Sequence, residues 1–147
     1  MDPITITSFA NNLHRDPVAE LWATIFGYPT AHNDPHLAID RKLAVNDGLF
    51  FVALSGSSVV GTILAGYDGH RGWLYSLAVA PAFRGRGIGT QLVQHAEAAL
   101  AHLGCLKINL QILPANEAIT AFYTRLGYAV EPRISLGKVL PTDLPPS

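Results

Sequence analysis

Leu77-Ala78-Val79-Ala80-Pro81-Ala82-Phe83-Arg84-Gly85-Arg86-Gly87-Ile88-Gly89-Thr90 is the stretch on which the fold turns. It reads as the end of a strand, a glycine-rich loop with two arginines, and the start of a helix. Upstream, Gly72 to Val79 alternates, with Tyr75, Leu77 and Val79 on one face and Leu74, Ser76 and Ala78 on the other. Downstream, Ile88, Leu92, Val93, Ala96, Leu100 and Leu103 recur at helical spacing and mark a long amphipathic helix that Gly104 ends. The first turn of a helix carries backbone N–H groups without acceptors and a partial positive charge. Glycines let that backbone come close to a bulky anion. The arrangement is therefore a phosphate cradle. The Lys-Ser/Thr ending of a nucleoside-triphosphate loop is absent, and glycines at 85, 87 and 89 do not match the Gly-x-Gly-x-x-Gly of a dinucleotide site.

Working outward, Leu49 to Leu54 and Val59 to Tyr67 read as strands closed by Ser55-Gly56-Ser57 and Asp68-Gly69. With Gly72 to Val79 they form an antiparallel meander. Ile4 to Thr7 predicts a short first strand. Asp16-Pro17 predicts a helix start, followed by Val18, Leu21, Trp22, Ile25 and Phe26 at helical spacing. Tyr28 to Pro35 is a loop, and a second helix is expected from about Pro35 to Val45. Leu106 to Leu113 alternates, with Lys107, Asn109 and Gln111 opposite Ile108, Leu110 and Ile112. Asn116 opens a helix that Gly127 closes, and a final hairpin is expected from about Tyr128 to Leu140. The fold class is α/β: one domain over residues 1–147, a mixed, mostly antiparallel sheet flanked by helices. Residues 141–147, with three prolines, read as an irregular tail.

Composition narrows the function classes. The chain has 147 residues, 49% of them hydrophobic and 14% charged, which suits one packed domain rather than a disordered chain. A net charge of -1 without a Lys/Arg run argues against a general nucleic-acid surface. No apolar run is long enough to span a bilayer, and the N-terminus lacks the basic and apolar segments of a signal peptide. A cytoplasmic protein with no membrane or nucleic-acid partner is expected. The single cysteine, Cys105, cannot close an internal disulfide, and no Cys/His set has metal-ligand spacing. Cys105 sits at a helix-to-strand junction and reads as a small packed residue rather than a covalent carrier.

Two motifs carry a resemblance. Arg84-x-x-Gly87-x-Gly89 follows Leu77-x-Val79-x-Pro81, and Asn116 is followed by Phe122-Tyr123 and Leu126-Gly127-Tyr128. On these the chain resembles the GNAT superfamily of N-acetyltransferases. Its length and its Lys107-Ile-Asn-Leu-Gln-Ile run place it beside the small bacterial members. The resemblance implies an enzyme that uses acetyl-coenzyme A as co-substrate, needs no metal, and acetylates a primary amine of a small molecule or peptide. It implies that Arg84, Gly85, Arg86, Gly87, Ile88, Gly89 and Thr90 surround the coenzyme's pyrophosphate. Leu77, Ala78 and Val79 would meet the pantetheine arm as an added strand, with a backbone N–H near Leu77 or Ala78 facing the acyl oxygen. Asn116 would bond the same arm, and Tyr123 would face the departing sulfur as the catalytic acid. Tyr28, His32 and Asp34 are candidates to meet the acceptor, with Tyr75 and Asn109 as polar groups able to orient it or a water.

One departure stands out. Many family members carry a carboxylate on the strand before the glycine loop, whereas Gly72 to Val79 has none. An alkyl amine with a pKa of about 10.4 must still lose a proton before it attacks. Asp68, His70, His32 and Glu131 are the groups able to take it, with a water chain as the alternative. The missing carboxylate also keeps open a non-catalytic acyl-coenzyme A sensor on the same fold. Exposed strand edges and the final hairpin are compatible with a homodimer.

Overall fold

The computed structural model describes residues 2–27 and 34–141. Two compact units share them, one up to Gln111 and one from Ile112 onward. The first unit runs β1 (Ile4–Ser8), α1 (Asn11–Phe26), α2 (Pro35–Val45), β2 (Phe50–Ser55), β3 (Ser58–Tyr67), β4 (Gly72–Val79), α3 (Ile88–His102) and β5 (Ile108–Asn109). Its five strands lie in the order β1-β2-β3-β4-β5. The first three pairings are antiparallel and β4–β5 is parallel. This is the mixed, mostly antiparallel α/β sheet that the sequence implied.

β3 is the central strand, and Val60 to Ala65 are buried, so both its faces are covered. On one face Thr62 and Leu64 look toward α1 and α2. There Val18, Leu21, Trp22, Ile39, Phe50 and Val52 form the main core. Phe50 stacks between Phe9 at 4.1 Å and Trp22 at 5.6 Å. On the other face α3 packs through Ile88, Leu92, Val93, Ala96 and Leu100. Two glycines permit its close approach. A Cβ on Gly61 would lie 3.0 Å from Leu92 Cδ1, and one on Gly72 only 2.8 Å from Cys105 Sγ and 3.0 Å from Leu100 Cδ1. Cys105 is partly buried, and its thiol donates to the Lys107 carbonyl at 3.3 Å, which is the packed role expected of it.

Four sequence expectations are corrected. Helix α1 begins at Asn11, not at Asp16-Pro17, and Pro17 lies inside it. The start is held by His14, whose Nδ1 accepts from the Ala10 N–H at 2.9 Å. Pro17 cannot donate to the Leu13 carbonyl, and Leu13 lies on the exposed side of the helix. The alternation of β4 is also broken. Leu64 pairs with Tyr75 and Thr62 with Ala78, so Ser76 and Leu77 together oppose Ile63. This bulge puts Ala78 on the same face as Tyr75, and Leu74 on the same face as Val79. Third, β5 spans two residues rather than the eight from Leu106 to Leu113. It meets β4 only at Gly72 and Trp73.

Fourth, no strand occurs between Tyr128 and Pro141 among the described residues. Val130, Ile134, Leu136, Val139 and Leu140 are exposed there. Alternation marks a strand only where a partner edge takes its hydrogen bonds, and Pro132 removes one donor from the segment.

The second unit contains α4 (Glu117–Arg125), with Asn116 as N-cap accepting from the Ile119 N–H at 3.3 Å. The helix ends at Leu126-Gly127-Tyr128. Tyr128 N–H donates to the Tyr123 carbonyl at 3.0 Å and Gly127 N–H to that of Thr124 at 3.1 Å, with Gly127 left-handed.

Gly72→Ala is expected to lower stability by about 1–3 kcal/mol, the usual cost of overpacking, as read from the midpoint of urea unfolding. The His14 ring accepts a backbone proton and is buried, and burial holds its pKa below the usual 6.5. The unfolded chain therefore takes up this proton first as pH falls. The stabilisation is complete above about pH 6.5 and is lost as pH drops below it. Between about pH 7.5 and 5.5 the wild-type urea midpoint should fall more than that of His14→Asn, whose amide oxygen accepts without titrating.

Candidate active site

The site grows from the free side of β4. The Ala80 N–H donates to the Val60 carbonyl at 2.8 Å, which makes Val79 and Gly61 a non-hydrogen-bonded pair. The N–H and C=O of Val79 therefore point away from β3. By the same alternation, the Ala65 N–H donates to the carbonyl of Leu49, just before β2, so Leu74 turns its backbone outward too. β5 has parted from β4 by then, since their only pairs are Gly72 with Ile108 and Trp73 with Asn109. The outer edge of β4 from Leu74 to Val79 is thus a ladder able to receive an extended chain.

Within this edge lies the bulge. Ser76 has φ of 52°, a left-handed conformation that costs an L-residue roughly 1–2 kcal/mol. Its carbonyl accepts from Thr62 Oγ1 at 2.9 Å, and Thr62 Oγ1 accepts from Trp22 Nε1 at 2.8 Å. Thr62 is fully buried and Trp22 nearly so.

Beyond Val79 the chain makes one 3-10 turn over Pro81–Phe83 and enters the glycine loop. Arg84 Nε reaches back to the Val79 carbonyl at 3.3 Å, and the Arg86 guanidinium lies 4.9 Å from the Phe83 ring centroid. Gly85 and Gly87 both have φ of 78°, and a Cβ on either would meet nothing within 4 Å. Conformation, not space, demands glycine here. Gly87 is the N-cap of α3, without a side-chain cap, and the first helical bond runs from Gln91 N–H to its carbonyl at 3.0 Å. The N–H groups of Ile88, Gly89 and Thr90 thus have no acceptor within the helix. No acidic side chain stands in this first turn. Ile88 is buried and anchors it, while Arg84 to Gly87 are exposed. Exposed N–H donors, two arginines and the positive end of a 15-residue helix can together hold a diphosphate.

The other candidates fall as follows. Tyr75, half exposed, lies on the α1/α2 face of β4, with Lys42 Nζ 5.5 Å from its ring centroid. Lys42 is a feature that sequence reasoning missed. It is buried, and its ammonium donates to Asp47 Oδ2 at 2.9 Å and to the Ala65 carbonyl. A lysine on an amphipathic helix reads as surface, and no local signal marks this one. Asn109 stands on β5 opposite Trp73, partly buried. Asp34 is the N-cap of α2 and accepts from the His36 N–H at 2.9 Å, so its carboxylate has a structural task. Tyr28 and His32 lie outside the described residues.

Of the groups able to take a proton, Asp68 shapes the β3–β4 turn. It accepts from the N–H groups of Arg71 at 2.7 Å and His70 at 2.8 Å. These bonds hold its carboxyl below the usual range, which makes it a weaker base. In the second unit Asn116 caps α4, and Tyr123 lies on that helix, edge-on to Phe122 and to Tyr128 at 5.0 and 5.4 Å. Tyr123 is buried, and loss of hydration pushes its phenol up to about 12. Glu131 is partly buried in the same unit, and its carbonyl accepts from the Arg133 N–H at 2.8 Å.

A mixed sheet whose fourth strand opens away from the fifth and turns through glycines into a helix defines a transferase fold with a place for a long phosphorylated co-substrate. The model of the acetyltransferase (GNAT) family matches residues 15–128, and the chain belongs to that family. It is 42% identical over 111 residues to an acetyltransferase of Yersinia enterocolitica, covering 76% of this chain and 79% of that protein. Among solved structures it superposes on an aminoglycoside N-acetyltransferase, AAC(6')-Iy in complex with coenzyme A. That match has a TM-score of 0.78 and 21% identity over 95% of this chain and 96% of the other. A glucosamine-6-phosphate N-acetyltransferase from Arabidopsis thaliana gives 0.71 and 15%, over 95% of this chain and all of its own. At these identities the two structures speak for the fold. The protein is an N-acetyltransferase, and acetyl-coenzyme A is its general acetyl donor.

Gly87→Val is expected to destabilise α3 by more than Gly87→Asn, because a β-branched residue resists φ of 78° and Asn tolerates it. Thermal melting of the two variants checks this.

Proposed function

We propose that the enzyme transfers acetyl from coenzyme A directly to a primary amine of a small molecule or peptide, within a ternary complex and across a single domain. The observation that carries this reading is continuity: the outward edge of β4, its bulge and the glycine loop follow one another without interruption from Leu74 to Thr90. The Val79 backbone would pair with the amides of the pantetheine arm. The N–H groups of Ile88, Gly89 and Thr90, with Arg84 and Arg86, would hold the pyrophosphate. The Asn116 side chain, its oxygen engaged as a cap, would offer its NH2 group to the same arm.

In the reaction the neutral amine nitrogen attacks the acetyl carbonyl carbon, and the π pair moves onto oxygen. A backbone N–H at the bulge would receive that charge. When the oxyanion collapses, the C–S bond breaks and sulfur leaves with the electron pair. Tyr123 would donate a hydrogen bond to the thiolate. A phenol pushed up to about 12 stays protonated throughout neutral pH. Against a thiol near 8.5, full proton transfer runs uphill by roughly three powers of ten. Tyr123 therefore stabilises the leaving sulfur as a donor, and the thiol takes its final proton from the amine or from water. With Asp68 engaged in a turn and no carboxylate on β4, a water chain past Tyr75 and Ser76 would carry the amine's proton away.

The test is thiol release from acetyl-coenzyme A against a panel of amines, amino acids and N-terminal peptides, with thermal-shift binding of the coenzyme in parallel. Release with one acceptor class is expected. Tyr123→Phe should lower kcat by roughly 10²-fold and leave coenzyme affinity nearly unchanged. A stable acetyl-enzyme would overturn direct transfer. Coenzyme binding without release on any acceptor would favour the acyl-coenzyme A sensor, the reading that the bare β4 strand supports.

A further inference from the structure

Among the described residues, only Ser76 and Asn46 have positive φ without being glycine. Asn46 caps the end of α2, a place where asparagine accepts this conformation. Ser76 lies inside a strand, where nothing local favours it. What holds it comes from two distant elements. Thr62 has one hydroxyl proton, and it goes to the Ser76 carbonyl at 2.9 Å. That proton is directed because the oxygen already accepts from Trp22 Nε1 at 2.8 Å. Thr62 is fully buried and its bond from Trp22 with it, while the bond to Ser76 is partly buried.

The peptide group joining Ser76 to Leu77 is planar and trans, so its C=O and N–H point in opposite directions. Anchoring the Ser76 carbonyl on Thr62 therefore aims the Leu77 N–H away from Thr62. We infer that Thr62, steered by Trp22, is a positioning residue for acyl transfer: its hydroxyl sets the direction of the Leu77 N–H that receives the acyl oxygen. The inference rests on the acetyl-transfer reading above and adds to it the residues that hold the donor in place. No side chain of the relay touches substrate. Its effect passes through one peptide plane.

The experiment compares Thr62→Val, which keeps the shape and removes both hydrogen bonds, with Thr62→Ser, which keeps the hydroxyl. Calorimetry measures the affinities of acetyl-coenzyme A and of coenzyme A for each. An aimed N–H should favour the acetylated form by roughly fivefold, the value of one hydrogen bond. Thr62→Val should lose that preference while keeping its affinity for coenzyme A, and Thr62→Ser should retain it. With an accepted amine, Thr62→Val should lower kcat by at least about tenfold with KM for the donor little changed, a fraction of the loss on deleting an oxyanion donor.

The Leu77 amide resonance, followed by NMR on the free protein, should move in Thr62→Val and stay near its wild-type position in Thr62→Ser. Should Thr62→Val melt below the assay temperature, Trp22→Phe removes the donor to the Thr62 hydroxyl and keeps an aromatic ring against Phe50, and it should give the same pattern at roughly threefold. Wild-type preference and kcat in Thr62→Val, or equal losses in Thr62→Ser, would overturn the inference. Failure of the wild type to bind acetyl-coenzyme A would instead sink the acetyl-transfer reading, and the Leu77 resonance would then judge the relay alone.

Discussion

The buried hydroxyl of Thr62 joins three elements by hydrogen bonds. Trp22 on α1 donates to it, and it donates to Ser76 on β4 from its own place on β3. A fully buried hydroxyl is costly unless both its donor and its acceptor capacity are used, and here both are. Its bonds therefore fix where α1 sits on the sheet and where β4 slips by one residue against β3. The slip decides which side chains of β4 face α1 and α2 and which face α3.

Against that rigid centre, the glycine loop works by backbone geometry and field. The chain has almost no net charge, yet Arg84 and Arg86 stand with the open N–H groups at the start of α3, and no carboxylate lies in the first turn. Local concentration of positive partial charge matters more to an anion than the total. The arginines are not left to wander: one is bonded to the Val79 carbonyl and the other lies over the Phe83 ring. Each holds a preset position, which lessens the entropy lost when a ligand is bound.

The proton inventory is unusual for amine acylation. β4 has no carboxylate, Asp68 is tied into its turn, and Asp34 caps a helix. Burial pushes the Tyr123 phenol up to about 12, toward holding its proton. Under the proposed mechanism, acceptors that arrive already neutral, or with water to relay their proton, would suit these residues best.

The sequence alone determined what local spacing encodes. The strands of the meander, helical periodicity after Gly87, a helix from Pro35 to Val45 and Leu126-Gly127-Tyr128 at the end of α4 each concern residues within a few positions of one another, and each has its counterpart in the structure. The glycine loop and the family were legible for the same reason. The tertiary structure decided the rest. The bonds of Thr62 span 14 and 40 positions, and those of Lys42 reach Ala65 across 23, distances over which no periodic pattern carries information. The same holds for the break in β4 and for the shortening of β5. A bulge or a strand end is set by which partner offers its hydrogen bonds, and that partner is chosen only when the chain has folded.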